Sequence, residues 1–313
     1  MRIDIKIAQY GVRVLNLYIK NYNKKLEKRK DEEWNSHFKE DIKYKFKLND
    51  SLFIYLFQDS VLSKFIYKGF EETELLFIRR YLNEDDIFID IGANIGLFSL
   101  HAAQVIGKKG KVIAFEPTPV TYSRLLLNVS LNHFNEIVTC NNLGLSDKKG
   151  LLKMNISNNG YDAWNTFALP TETFFNEQID VPVETLDNYL SDHNISISNI
   201  SFIKVDVEGW EAYVIRGASN FLKNKDAPSL LVEFTEENAF AAGTNCYELY
   251  DLIKSFGYNW YTYDSIKNQL IPEHKRMHYP YNNLIAIKDI EKAQLRLLEK
   301  SPHKVKLCLN FQS

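Results

Sequence analysis

The stretch Ile87-Phe88-Ile89-Asp90-Ile91-Gly92-Ala93-Asn94-Ile95-Gly96-Leu97-Phe98 decides the fold. Its first five residues are β-prone and apolar except for Asp90. They read as a buried parallel strand that ends at a glycine-containing turn and continues into a helix. In an open α/β sheet, ligands bind beyond the carboxyl ends of the strands, which is where this turn falls. Gly92 and Gly96 are expected to let the backbone pass close to a ligand where a Cβ would collide.

The turn also says which ligand to expect. A dinucleotide fingerprint, G-x-G-x-x-G, counted from Gly92 requires glycines at 94 and 97. Those positions hold Asn94 and Leu97, so the glycine that admits a pyrophosphate is missing. Asp90 instead offers a carboxylate suited to an amine. The next β-rich run, Val112-Ile113-Ala114-Phe115, ends in Glu116-Pro117, twenty residues after Gly96. A carboxylate there can accept both hydroxyls of a ribose. An acid for an amino-acid part, a glycine turn and an acid for a ribose together describe S-adenosylmethionine. The plainer reading is that Asp90 and Glu116 only cap loops.

Outward from this stretch the chain alternates. β-rich runs at 87–91, 111–115, 136–141, 201–207 and 229–234 are separated by helical stretches near 97–106, 119–132, 210–223 and 245–256. That rhythm predicts an α/β fold, a mostly parallel sheet with helices on both faces. Upstream, residues 43–57 read as a hairpin turning at Asn49-Asp50, followed by helices near 60–68 and 71–82. Residues 151–185 break the rhythm. They carry the loop Asn158-Asn159-Gly160-Tyr161-Asp162-Ala163-Trp164-Asn165, whose aromatics read either as a clamp over a ligand or as pegs into the core. A last β-rich run, 283–288, precedes a charged helix to about 300. The expected divisions are 1–41 (basic helical extension), 42–84 (hairpin and helices), 85–288 (cofactor-binding domain) and 289–313 (helix and tail).

With these elements placed, the chain resembles the FkbM family of S-adenosylmethionine-dependent methyltransferases, in the Rossmann-like class I group. The resemblance rests on Asp-Ile-Gly-Ala-Asn-Ile-Gly at 90–96, Phe115-Glu116-Pro117 and Leu143-Gly144-Leu145-Ser146-Asp147. It continues through Ile203-Lys204-Val205-Asp206-Val207-Glu208-Gly209, Gly217-Ala218 and the run ending in Glu233. The Lys-x-Asp-x-Glu-Gly run is the most specific of these. The resemblance implies a seven-stranded sheet whose last strand is antiparallel, and O-methylation of a sugar, glycolipid or other natural-product hydroxyl. It implies that Asp90, Gly92, Ala93, Asn94 and Gly96 shape the methionine side. Glu116 then takes the ribose, and Pro117 and Leu143 border the adenine, with Asn142 at its polar edge.

A hydroxyl is a poor nucleophile at neutral pH and needs a base or a metal. On a regular strand Lys204, Asp206 and Glu208 point to one side. Three charged groups there are costly unless paired or bound. In one version Asp206 is a general base and Glu208 orients the substrate. In another, Asp206 and Glu233 hold a divalent metal such as Mg²⁺. The structural alternative pairs Lys204 with Asp206 and lets Glu208 cap the next helix. His274 and His278 lack a third ligand, and His101 and His133 read as packing or surface residues. An NAD-dependent oxidoreductase and a non-catalytic scaffold on the same fold are the competing functions.

Composition sets the remaining limits. Of the 313 residues, 45% are hydrophobic and 25% charged, which excludes a disordered chain. Cys140, Cys246 and Cys308 form neither a disulfide framework nor a metal knuckle. No apolar run approaches the ~20 residues of a membrane span, and charges break any secretory segment, so a cytoplasmic location is expected. The net charge of −2 gives no reason to expect nucleic acid. The charge is uneven, however: residues 1–30 carry +7 and the remainder −9. Ile5, Ala8, Val12, Leu15, Ile19, Tyr22 and Leu26 form a seven-residue repeat on one helical face. That helix either docks on its own domain, self-associates through residues 5–26, or lies on an anionic inner membrane surface. The partners expected are otherwise a small-molecule or glycan substrate.

Overall fold

The structure is a computed structural model that describes residues 41–157, 165–168 and 175–299, and before them 20, 22, 24–26 and 28–39. Most of the basic amphipathic segment, the loop 158–164 and the tail beyond 299 lie outside the described residues. The two stripe positions described, Tyr22 and Leu26, are exposed.

Helical residues 28–36 (α1) lead into the expected antiparallel hairpin, β1 (Lys43–Lys47) and β2 (Phe53–Phe57), which turns through Asn49-Asp50 with Lys47 opposite Phe53. Helices α2 (Val61–Lys68) and α3 (Glu72–Tyr81) follow. The alternating core then begins: β3 (Ile87–Ile91), α4 (Leu97–Ile106), β4 (Lys111–Phe115), α5 (Pro119–Leu131) and β5 (Val138–Asn141). A three-stranded sheet interrupts it, with β6 (Gly144–Leu145) pairing β8 (Phe175–Glu184) and β8 pairing β7 (Gly150–Ser157). After α6 (Leu186–Asp192) come β9 (Ile200–Val205), α7 (Glu211–Gly217), α8 (Ser219–Leu222) and β10 (Ser229–Phe234). The chain ends through α9 (Glu236–Ala241), α10 (Cys246–Ser255), β11 (Asn259–Asp264), β12 (Gln269–Pro272), β13 (Asn282–Ile287) and α11 (Ile290–Glu299).

The large sheet runs β12-β11-β13-β10-β9-β3-β4-β5. β10, β9, β3, β4 and β5 are mutually parallel, and β13 lies antiparallel between β10 and β11. The expected sheet of seven strands with an antiparallel last strand is therefore present, but with an eighth strand added. β12 folds back on β11 because Asp264 Oδ1 accepts the backbone N–H groups of Ile266 and Lys267. That is an Asx-type turn, and it closes a hairpin for which no strand was expected.

Alternating side chains feed two cores. Phe88, Val112, Phe202, Leu231 and Ile285 face one, under α2 to α5 and the hairpin. Ile89, Ile113, Ile203, Val232 and Leu284 face the other, under α6, α7 and α10. Leu52, Ile54 and Leu56 of the hairpin, and Trp34 and Phe38 before it, pack into the first core together with Phe88 and Ala102, so both segments share the core of the large sheet.

The hairpin is fastened by asparagine side chains. β2 presents an open edge to α5. Asn132 accepts from Phe53 N and donates to Phe53 O. Asn128 accepts from Tyr55 N at 2.6 Å and donates to Ile95 O at 2.9 Å, in the turn after β3. Two amides thus serve β2 as a neighbouring strand would, and one of them reaches the turn after β3. Asn128 is fully buried. Asn128→Ala strands the Tyr55 N–H and the Ile95 carbonyl, and a loss of about 2–4 kcal/mol is expected in urea unfolding. A loss below about 0.5 kcal/mol would mean that water replaces both bonds.

Candidate active site

The carboxyl ends of β3, β4, β9 and β10 open into a cavity of about 360 Å³. Gly92, Ala93, Asn94, Glu116, Pro117, Leu143, Lys204, Asp206, Glu208 and Glu233 all line it. Glu116 follows β4 and Glu233 lies on β10. Three strand spacings separate them, roughly 14 Å across the sheet.

The turn after β3 is built on β4. Gly92 N and Ala93 N both donate to Phe115 O. Asn94 takes φ +48°, the left-handed backbone that the dinucleotide pattern reserves for glycine. Asparagine tolerates that conformation. Its N–H donates to Glu116 Oε2 at 3.1 Å, and its Oδ1 accepts from Ile95 N at 2.7 Å. Glu116 Oε1 accepts from Thr118 N and Oγ1. Gly92 has a different reason from the one expected. A Cβ there would collide with the Asp206 carbonyl, so the glycine is needed to admit the chain leaving β9, while the residue also lines the cavity. Gly96 likewise faces Leu125, and it does not line the cavity.

Two further expected cofactor residues are not on the cavity wall. Asp90 is wholly buried behind it, because its side chain points into the core that faces Phe88 and Phe202. It accepts from Ser99 Oγ at 2.6 Å and lies 3.9 Å from Lys204 Nζ. Burial pushes its carboxyl up, while Lys204 and Ser99 pull it down. Asn142 is exposed and donates to the Glu116 and Pro117 carbonyls, so it braces the loop after β4 from outside.

Among the described residues Lys204 is the sole cation on the cavity wall, and it is buried. Its Nζ lies 2.9 Å from Asp206 Oδ2 and donates to Gly92 O at 3.3 Å. Burial lowers its pKa, but the charges of Asp206 and Asp90 outweigh that and hold it above the ordinary value. Lys204 therefore positions its neighbours as a permanent cation. The structural ion pair weighed from sequence exists, and it exists inside the cavity.

Regular alternation stops at Val205, where β9 ends. Residues 206–209 form a turn, with Glu208 at φ +53°. Glu208 does not take the helix-capping role foreseen for it, and α7 has no side-chain cap; Glu211 instead closes the preceding turn, its Oε1 accepting from Val207 N and Gly209 N. Glu208 turns back into the cavity, held by Asn238 Nδ2 at 2.7 Å. Burial, then the charges of Asp206 and Glu211, raise its pKa well above the usual carboxylate range. Glu233 is raised for the same first reason, with Glu208 and Asp206 adding to it. The β9–β10 register, Leu231 beside Lys204 and Val232 beside Val205, brings Glu233 next to Asp206.

Glu71 and Tyr281 line the cavity and were missed from sequence. Glu71 precedes α3 in a left-handed conformation, and its Oε1 accepts from Tyr281 Oη at 2.7 Å and Asn283 Nδ2 at 2.9 Å. No local motif marks it, since its partners lie some 210 residues downstream. Asn165 and Phe167, beside the loop 158–164, also line the cavity, as does Met154. His101 is buried, its pKa pushed down to about 3 by burial and Arg79, which fits packing rather than chemistry. His274 and His278 fall in a non-helical segment.

The fold and this cavity define a class, the Rossmann-like methyltransferases. The methyltransferase FkbM domain matches residues 90–259, more than half of the chain, and the chain belongs to that family. It is similar to methyltransferase sdnD of Sordaria araneosa, 29% identical over 181 residues, covering 50% of this chain and 68% of the relative. It is also similar to hexuronic acid methyltransferase AglP of Haloferax volcanii, 30% identical over 159 residues, covering 49% of this chain and 59% of the relative. Methyltransferase 1 of Beauveria bassiana is 27% identical over 149 residues, again with 59% of the relative covered. The chain thus spans between 59% and 68% of the length of these relatives. Among the described residues no helix is long and apolar enough to cross a membrane.

Glu71 generates a pH prediction. Burial, then the charge of Asp206, push its carboxyl from 4.5 up to about 7, against Lys204, Tyr281 and Asn283. Between those values the folded chain keeps a proton that the unfolded chain has released, so stability falls as pH rises through the window. Glu71→Gln removes this cost. It should stabilise the protein by about 1–3 kcal/mol at pH 8 and hardly at all at pH 4, read by chemical unfolding. An equal gain at both pH values would assign the effect to packing.

Proposed function

We propose that the protein is an S-adenosylmethionine-dependent O-methyltransferase acting on a hydroxyl of a sugar, glycolipid or other small natural product. One observation carries this reading. A single cavity joins a turn braced on a ribose-type acid, Glu116, to a cluster of carboxylates three strands away. The Haloferax volcanii relative, a hexuronic acid methyltransferase, is in keeping with it.

When bound, S-adenosylmethionine supplies a methyl group on a positively charged sulfur. The Gly92–Asn94 turn and Glu116 suit its methionine and ribose parts, and Pro117 and Leu143 offer apolar contact to the base. Transfer disperses charge, so holding oxygen, methyl and sulfur in line is most of the task. The hydroxyl proton has to leave as the carbon–oxygen bond forms. Asp206, held by Lys204, and Glu208, held by Asn238, are the groups nearest that need.

Isothermal titration with S-adenosylhomocysteine tests the reading. Wild-type protein should bind it and should not bind NAD. Glu116→Ala should weaken binding roughly 10- to 100-fold. Asp206→Asn should keep binding but lower turnover of a methylated acceptor roughly 10²- to 10⁴-fold. NAD binding in its place would favour an oxidoreductase. Nucleoside binding with no turnover on any hydroxyl acceptor would favour a scaffold.

A further inference from the structure

Asp206, Glu208 and Glu233 converge on one point of the cavity wall. One carboxylate oxygen from each lies within 4.8 Å of those of the other two. Glu233 is 4% exposed. Its Oε1 accepts from Thr235, but its Oε2 is buried and has no hydrogen-bond partner among the described residues. A buried carboxylate oxygen aimed at two other carboxylates is costly unless something positive meets it. Lys204 does not meet it: its Nζ is taken by Asp206 Oδ2, Asp90 and the Gly92 carbonyl.

The rest of the cluster is preset. Glu208 is held in its left-handed conformation with Asn238 fixing Oε2. Lys204 fixes Asp206 through Oδ2. Glu233 sits on a central strand paired on both sides. Three acids from two neighbouring strand ends are thus aimed inward by protein contacts on their outer sides, as hydrogen-bond partners behind metal ligands orient them. The donor set is all carboxylate oxygen, with no histidine or cysteine, which selects a hard divalent cation such as Mg²⁺ or Mn²⁺.

We propose that Asp206, Glu208 and Glu233 form a divalent-cation site in the acceptor half of the cavity, with Glu233 Oε2 as its innermost ligand. Three carboxylates on one side leave coordination positions facing the cavity for oxygens of the acceptor. In its use, though not in its binding, the site rests on the O-methyltransferase reading: the cation would carry negative charge developing on the acceptor oxygen.

The test is binding, not turnover. The full chain is titrated with Mn²⁺ and free ion is followed by electron paramagnetic resonance, with S-adenosylhomocysteine binding measured on the same preparation. About one Mn²⁺ per chain is expected, displaced by excess Mg²⁺. Glu233→Gln and Glu208→Gln should each weaken Mn²⁺ binding by at least roughly tenfold while nucleoside binding persists, which shows that the variants are folded. Wild-type protein that holds no Mn²⁺ at millimolar concentration overturns the site, as does a folded Glu233→Gln that binds as tightly as wild type. If Glu233→Gln does not fold, the wild-type titration and Glu208→Gln decide. Nucleoside binding without Mn²⁺ binding removes the cation and leaves the methyltransferase reading standing. Mn²⁺ binding without nucleoside binding does the reverse.

Discussion

One buried ammonium group holds the cavity floor together. Lys204 lies on β9 beside Asp90 of β3, with Asp206 two residues further along its own chain. The alternation of β9 points Lys204 toward the core that already receives Phe202, so the charge enters an apolar layer. Such a charge survives only if it is matched. Asp90 matches it from the next strand, Asp206 from the strand's exit, and the Gly92 carbonyl takes a further hydrogen bond. Two exits that would otherwise move independently, the turn after β3 and the turn after β9, are thereby tied at one atom. The missing side chain at Gly92 belongs to the same arrangement, since the Asp206 carbonyl occupies the space that a Cβ would need.

That tie explains why the site reaches so far along the chain. Fixing the two turns places Asp206 beside Glu233 and leaves Glu208 to turn back over them. Part of the wall comes from the segment after the hairpin, through Leu62, Phe65, Phe70 and Glu71. The hairpin itself is not an independent appendage. Its β2 edge is satisfied by Asn128 and Asn132, and Asn128 also holds the Ile95 carbonyl in the turn after β3. Position of the outer wall and shape of the inner turn are therefore coupled through one buried amide.

The sequence made the inner half of this arrangement readable. A strand, an acid and a glycine turn lie within a dozen residues, and Glu116 follows at a spacing fixed by one helix and one strand. Such local order survives in a linear reading because the turn and the acid that braces it are near in sequence as well as in space, Asn94 N–H donating to Glu116. The outer half was not readable. Glu71 meets Tyr281 and Asn283 only because antiparallel β13 threads between β10 and β11, and nothing near residue 71 announces that. Asp90 was misplaced for a different reason. Its position at a strand end suggested exposure to the ligand, whereas strand parity turns it inward, toward Ser99 and Lys204. Glu208 shows the converse: parity was extended past Val205, where the strand had already ended, yet the left-handed turn delivers its carboxylate to the cavity all the same.

Backbone strain gives the strongest sign that this delivery matters. Among the described residues, seven that are not glycine take positive φ: Glu71, Asp85, Asn94, His133, Asn194, Glu208 and Asn268. Asparagine, aspartate and histidine visit that region readily, and they account for five of the seven. The other two are glutamates, for which the left-handed conformation costs about 1–2 kcal/mol without local compensation from a short side chain. Both line the cavity, and both are clamped by amide donors from distant elements, Asn283 for Glu71 and Asn238 for Glu208. Strain of this size persists only where surrounding structure enforces it, and it gathers at functional sites. Packing alone gives no reason to force two acids into an already acidic cavity, where each raises the other's cost. A catalytic task in the cavity, which needs charged groups held close and dry, does give one.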